Sequence, residues 1–296
     1  MKQTIRLGDR ELHRFGYGAM RITGEGIYGE PRDPDEARAV LRRAIELGVQ
    51  LIDTSWYYGP WVANRLIVEA LHPYPTDLVI ATKLGAKRLP DKSWVAYNRP
   101  EEIVSAHVED LRSLRLEQSF VTHFRALPGS AVPFEESLGA VVELKKKGLV
   151  RHVAVSNVSL AQLETARAMA DIVAVQNPFS VAHSGERRMQ MHGPQLAESP
   201  DLVLDACERH GIAYLPYFPL AMGQLGAGHS GLAGAIDAIA AQKKATPAQI
   251  SLAWLLARSE AILPIPGTSR RAHLDENWAA QDIPLSPEEV RAISAG

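Results

Sequence analysis

Residues Asp33–Gly59 read DPDEARAVLRRAIELGVQLIDTSWYYG, and this stretch decides the fold. Its first half, Asp33–Gly48, is a helical pattern with an Asp cap at one end and a Gly stop at the other. Its second half opens with a β-rich run, Gln50–Ile52, and passes at once into polar and aromatic residues. A capped helix, a short apolar strand and a chemically rich loop form one beat of a parallel βαβ rhythm.

The beat repeats to the end of the chain. Strand-like runs occur at Arg14–Gly18, Gln50–Ile52, Leu78–Thr82, Phe120–Phe124, His152–Val155, Ile172–Val175, Ile212–Pro216 and Ala261–Pro264. Between them, Arg99–Leu114 and Pro133–Gly148 carry acids early and basic residues late, as the helix dipole favours. Ser159–Ala170 begins with a Ser cap. Eight strands alternating with helices predict an α/β fold of the (β/α)8 TIM-barrel type. A doubly wound open sheet is the competing architecture, but no second domain or topological switch is visible. The expectation is one barrel domain over residues 1–296, with an N-terminal β-hairpin around Gly8-Asp9 and an extra C-terminal helix in SPEEVRAISAG.

Composition narrows the class of function. A chain of 296 residues with 46% hydrophobic and 22% charged residues can bury a large core. A net charge of −2, with Lys and Arg scattered, gives no reason to expect nucleic acid or membrane as a partner. One cysteine, Cys207, excludes an internal disulfide and a multi-thiol zinc motif, and no metal cluster is expected. MKQTIRLGDRELHRFG lacks the apolar core of a signal peptide, so the cytoplasm is the expected compartment. A small-molecule substrate and a monomer or weak homo-oligomer fit these features.

In such a barrel the chemistry sits at the C-terminal ends of the strands. Asp53 and Tyr58 follow the second strand, Lys83 the third and Arg125 the fourth. Ser156-Asn157, Gln176-Asn177, Tyr217 and Gly267-Thr268-Ser269-Arg270 follow the fifth to the eighth. A phenol is a poor acid at neutral pH, but a neighbouring ammonium favours its phenolate, and a carboxylate beyond keeps that ammonium charged. Alone, Asp53 reads as a cap and Lys83 as a solvated side chain. Together on neighbouring strand ends, Asp53, Tyr58 and Lys83 read as acid–base machinery.

The blocks IDTSWYYG (Ile52–Gly59), VIATKLG (Val79–Gly85), VAVSN (Val153–Asn157), AVQNPFS (Ala174–Ser180), PYFPL (Pro216–Leu220) and IPGTSRRAHLDEN (Ile265–Asn277) resemble the aldo-keto reductases, in order and through nearly the whole chain. The resemblance implies a barrel that binds NADPH/NADP+ and reduces an aldehyde or ketone by hydride transfer, with Tyr58 as proton donor beside Asp53 and Lys83. At the fourth strand, LRLEQSFVTHFRA (Leu114–Ala126) departs from the pattern. Arg125 stands where most members have histidine, and His123 lies two residues earlier, about 6–7 Å deeper along a strand. Arg125 is the favoured carbonyl-orienting group and His123 the alternative; a buried core histidine is the plainer reading of His123. This run and GYGAMRITGEGIYGEPRD (Gly16–Asp33) resemble the bacterial pyridoxal reductases, which makes pyridoxal the first substrate to test.

The same resemblance implies the cofactor site. Ser156, Asn157 and Gln176 would hold the nicotinamide carboxamide, and Tyr217 would stack on its ring. Gly267, Thr268, Ser269 and Arg270 would clamp phosphate at the start of a short helix, with Arg270 on the 2′-phosphate and Asn277 near the adenine. His273 stands where many members carry a further arginine. Trp56 and Trp94, the latter in the long segment after the third strand, are candidate substrate walls, as is Trp61; each also reads as loop packing. Gly24–Gly29 spells GxGxxG, but Glu-Pro-Arg-Asp-Pro follows and breaks any helix, so a flexible loop over the barrel mouth is expected. Two other functions remain open: a barrel aldolase with Lys83 as Schiff base, and a slow-turnover NADPH-sensing subunit.

Overall fold

The computed structural model describes residues 3–187, 198–221 and 230–295. Strands β1 (Thr4–Leu7) and β2 (Arg10–His13) form the expected hairpin. The parallel staves follow as β3 (Tyr17–Gly18), β4 (Leu51–Asp53), β5 (Val79–Arg88), β7 (Ser119–Arg125), β8 (Val150–Ser156), β9 (Ile172–Gln176) and β10 (Ala213–Tyr214), each paired with the next. The eighth stave is the extended segment 261–266. Tyr214 bridges Ile262 in parallel, and Gly16 N donates to Pro264 O at 2.8 Å. The barrel therefore closes, but Pro264 and Pro266 have no N–H to donate, which limits the last ladder to isolated bonds. The seam is also tight: a Cβ at Gly18 would come within 2.7 Å of Ile265 O.

Helices α1 (Pro34–Leu47), α2 (Val62–Leu71), α3 (Pro100–Leu114), α4 (Phe134–Lys146), α5 (Leu160–Met169), α6 (Pro200–His210), α7 (Ser230–Lys243), α8 (Pro247–Arg258), α9 (Arg271–Ala279) and α10 (Pro287–Ala295) complete the order. The local signals act where the sequence puts them. Asp33 accepts from Glu36 N, Gly48 takes a left-handed φ of 96°, and Ser159 forms a reciprocal capping box with Gln162. The C-terminal helix is α10.

Two apolar layers result. Inside the barrel, Leu51, Val79, Ala81, Val121, Ala154, Ala174, Leu215 and Leu263 pack together, and Ile5, Leu7 and Leu12 of the hairpin plug the bottom. A larger cluster fills the space between staves and helices. With the lower interior closed by hydrocarbon, polar side chains collect at the upper end. No helix among the described residues is long and apolar enough to cross a membrane.

One element differs from the sequence expectation. The third stave does not stop at Thr82 but runs to Arg88, and its outer half pairs antiparallel with β6 (Trp94–Tyr97). Gly85, at φ 103°, makes the departure from the barrel; a Cβ there would meet Arg125 O at 2.4 Å. Lys83 thus lies within a strand, and Trp94 lies on a strand rather than in a loop.

Candidate active site

Lys83 points into the barrel above the apolar plug. Its Nζ is 2.5 Å from Asp53 Oδ1 and donates to Thr54 O at 3.0 Å. The other Asp53 oxygen accepts from Gln176 Nε2 at 2.8 Å. Both side chains of this ion pair are almost fully buried, at 1% and 5% exposure. Tyr58 is buried in the following loop, its ring centroid 4.9 Å from Lys83 Nζ. Burial pushes the Tyr58 phenol up, with Asp53 adding to the effect and Arg125 opposing it, so it is protonated at neutral pH.

His123 and Arg125 share the inward face of β7, at different depths. His123 pairs in register with Lys83 on one side and Ala154 on the other, and is wholly buried. Its Nδ1 lies 3.3 Å from Thr82 O, and its Nε2 has no hydrogen-bond partner among the described residues. A carbonyl only accepts, so Nδ1 carries the hydrogen and Nε2 is a bare acceptor. Burial lowers His123 to about 4. Arg125 ends the strand, donates to Ser156 Oγ at 3.3 Å and lies 5.1 Å from the Tyr217 ring centroid. Burial works against its charge, but the phenols of Tyr217, Tyr57 and Tyr58 more than offset this and hold the guanidinium above its ordinary value.

The family model that matches residues 14–295 is the aldo/keto reductase family. The chain belongs to the aldo/keto reductases. It is 43% identical to pyridoxine 4-dehydrogenase of Escherichia coli K12 over 98% of this chain and 96% of that protein. An NADP(+) aldo-keto reductase of Schizosaccharomyces pombe is 27% identical over 98% of this chain and 90% of its own length. Among solved structures, a thermostable aldo-keto reductase crystallised with the inhibitor epalrestat superposes at a TM-score of 0.81, is 27% identical and is covered to 99%, as is this chain. The family membership makes this chain an oxidoreductase and agrees with the (β/α)8 barrel.

In this aldo/keto reductase the remaining expected residues fall into two groups. Ser156, Asn157, Gln176 and Tyr217 stand together around β8, β9 and the loop after β10. Asn157 adopts a left-handed φ of 59°, held by Nδ2 donating to Ala126 O at 2.8 Å and Oδ1 accepting from Tyr217 OH at 3.1 Å. The Ser156 hydroxyl hydrogen and Gln176 Oε1 stay available, a donor and an acceptor matching a carboxamide. The second group lies at the start of α9. Arg270 is the residue before the first helical turn, and its backbone N–H donates to Thr268 Oγ1 at 3.2 Å. Thr268 O accepts from Tyr17 OH at 2.6 Å, tying the loop to β3. Ser269 and Arg270 are exposed, Asn277 is buried, and the Arg270 guanidinium has no partner among the described residues.

Around the mouth, Trp56 is buried against Tyr57, Trp61 and Tyr97, with Nε1 unpartnered. Trp94 is 41% exposed, edge-on to Tyr57 and under Arg88. The Gly24–Gly29 segment is a turn laid on the loop after β4, not a dinucleotide fingerprint. Gly29 N donates to Gly59 O, Gly59 N returns to Ile27 O, and Arg88 reaches Gly26 O.

Three features escape a reading of the sequence. Tyr57, beside Tyr58, buries a hydroxyl without a hydrogen bond among the described residues. Behind the Asp53–Lys83 pair, Thr54 Oγ1 donates to Asn64 Oδ1 at 2.9 Å, and Asn64 Nδ2 to Asp110 Oδ1 at 2.6 Å. Burial pushes that Asp110 carboxyl up to about 7, against the pull of Asn64 and Lys83. Arg271, next to Arg270, is occupied: Glu36 accepts from its backbone N at 2.9 Å and its Nε at 3.0 Å. A carboxylate following a helix cap carries no sequence signal that it will reach a helix more than two hundred residues away.

Proposed function

We propose that this chain reduces an aldehyde or ketone with NADPH, using Tyr58 as the general acid. The observation that carries the reading is the buried line Asp53–Lys83–Tyr58, with contacts of 2.5 Å and 4.9 Å. The donor set fits the cofactor: Ser156 and Gln176 offer complementary groups to the carboxamide, Tyr217 a flat ring, and Arg270 a free cation for the 2′-phosphate. The S. pombe relative named for NADP(+) supports the same choice. When bound, NADPH supplies a hydride to the carbonyl carbon.

The chain's own residues do the rest. Burial keeps the Tyr58 proton in place until an alkoxide develops within reach, and the phenol then gives it up. Lys83 and Arg125 stabilise the phenolate that remains. Asp53, anchored by Gln176, keeps Lys83 charged and aimed. Arg125 donates hydrogen bonds to the carbonyl oxygen, a role for which His123 Nε2, an acceptor, is unsuited. Pyridoxal is the first substrate to test, because the E. coli relative is named for the corresponding alcohol. The Asp53 contact and the bond to Thr54 O tie up Lys83 Nζ, which weighs against a Schiff-base aldolase.

Tyr58→Phe tests the mechanism. Carbonyl reduction should fall by about 10²- to 10⁴-fold, while NADPH binding, read by quenching of protein fluorescence, stays near wild type. A variant retaining more than about a tenth of the rate would remove Tyr58 from the acid role.

A further inference from the structure

The charges at the barrel mouth do not balance. Asp53 is spoken for on both oxygens, by Lys83 and by Gln176. Arg125 has no carboxylate partner among the described residues. It donates to the Ser156 hydroxyl and lies 5.1 Å from the Tyr217 ring centroid, with the phenols of Tyr57 and Tyr58 favouring its charge. A guanidinium stays charged at every accessible pH, and it is partly withdrawn from water here. Among the described residues Arg125 is therefore a positive charge with no compensating carboxylate, close to Tyr58. Its surroundings are also specific: the guanidinium carbon lies 5.1 Å from the Tyr217 ring centroid, and its N–H groups engage Ser156 Oγ and the Tyr217 hydroxyl, leaving the rest of the five for a ligand. A carbonyl oxygen alone needs one donor and no full charge.

We infer that the carbonyl substrate brings its own anionic oxygen, on the carbon next to the carbonyl or one further, and that Arg125 clamps both oxygens in its planar fork. Two compound classes share this chemistry: 2-oxo acids, through the carboxylate, and 2-hydroxyaryl aldehydes, through the phenolate. The inference rests on the reductase reading above and narrows its substrate. The reaction remains balanced: the carbonyl carbon takes the hydride of NADPH, the carbonyl oxygen takes the proton of Tyr58, and the neighbouring oxygen keeps its charge in the fork. The phenolate left on Tyr58 regains a proton from water.

The test compares each anion with a neutral analogue of similar shape, following NADPH absorbance. One arm pairs 2-hydroxybenzaldehyde with 2-methoxybenzaldehyde, above the pKa of the phenol; the other pairs phenylglyoxylate with its methyl ester. In wild type, kcat/KM should favour the anionic member at least about tenfold in one or both arms, as a charge-assisted contact requires. The arm that shows the preference tells phenolate from carboxylate. Arg125→Gln should bring the ratio to within about threefold of unity, and Arg125→Lys, which keeps the charge without the fork, should give an intermediate value. Because each ratio is taken within one protein, loss of folded material cancels. Neutral members reduced as well as anions in both arms, or a preference that survives Arg125→Gln, would overturn the inference and leave the reductase reading standing. Failure to reduce any carbonyl would overturn both.

Discussion

Lys83 and Arg125 lie on neighbouring strands, β5 and β7, and both reach the upper interior of one barrel. Lys83 is locked: a carboxylate at 2.5 Å, a backbone carbonyl at 3.0 Å and 1% exposure leave it no freedom and no spare charge. Arg125 is poised: one hydroxyl at 3.3 Å, an aromatic ring at 5.1 Å and, among the described residues, no acid. The same positive charge thus serves two ends. The compensated cation lies 4.9 Å from the Tyr58 ring centroid, whereas the one without an acid among the described residues keeps N–H groups for whatever enters the site.

The contrast breaks most easily in stability. Lys83→Met strands Asp53 as a buried anion, so chemical denaturation should show a loss of about 3–5 kcal/mol. Arg125→Met strands nothing and should lose about 1 kcal/mol or less. Equal losses would mean that Arg125 has a structural partner after all.

Catalysis should separate the two inward residues of β7. Arg125→Ala should lower kcat by about 10²- to 10³-fold, the usual effect of losing a donor to a developing oxyanion. His123→Ala should have the smaller effect, since its Nε2 cannot donate. With His123 lowered to about 4 and Arg125 always charged, the pH–rate profile should be flat between about pH 6 and 7. A more damaging His123→Ala would return the orienting role to the deeper residue.

The buried groups behind Lys83 make the pH dependence of folding a sharper probe. Asp110, raised to about 7, adds stability that is full below its unfolded pKa near 3.9 and is lost as pH rises through about 7. His123, depressed to about 4, adds stability that is full above about 6.5 and is lost as pH falls through about 4. Asp110→Asn should therefore gain on wild type by up to a few kcal/mol between about pH 4 and 8, and His123→Leu should gain on going from about pH 7 to 4. Denaturant midpoints across that range, with parallel curves for wild type and variants, would contradict both assignments.

The smallest effect separates the two arginines at α9. Arg270→Ala should weaken NADPH about tenfold and leave NADH nearly unchanged, because a charge-assisted phosphate contact is lost. Arg271→Ala should change either affinity by less than about threefold, since Glu36 already occupies that guanidinium. Equal losses of NADPH and NADH on Arg270→Ala would move the residue from the 2′-phosphate to the fold.

Much of this was legible along the chain. Asp33, Gly48 and Ser159 act on residues within a turn or two, so their caps could be read directly. The order of the staves follows from the alternation, and the residues gathered at the upper end, Asp53, Lys83, Arg125, Ser156 and Gln176, are those that close each strand. The third stave outruns its sequence pattern because Gly85 lets β5 continue outward to pair with β6, a partner that periodicity does not announce.

The sequence by itself determined the elements, their order and the chemical types at the strand ends, because caps, periodicity and strand termini are short-range effects. Only the closed barrel decided which charges meet. Gln176 reaches Asp53 across 123 residues, Asn64 reaches Asp110 across 46, and Arg271 reaches Glu36 across 235. Such pairings depend on the register of staves and on which helices lie against one another. Whether a cation is locked like Lys83 or left open like Arg125 is for that reason a property of the folded barrel: it turns on the acids within a few ångströms in space, and adjacency along the chain carries no record of them.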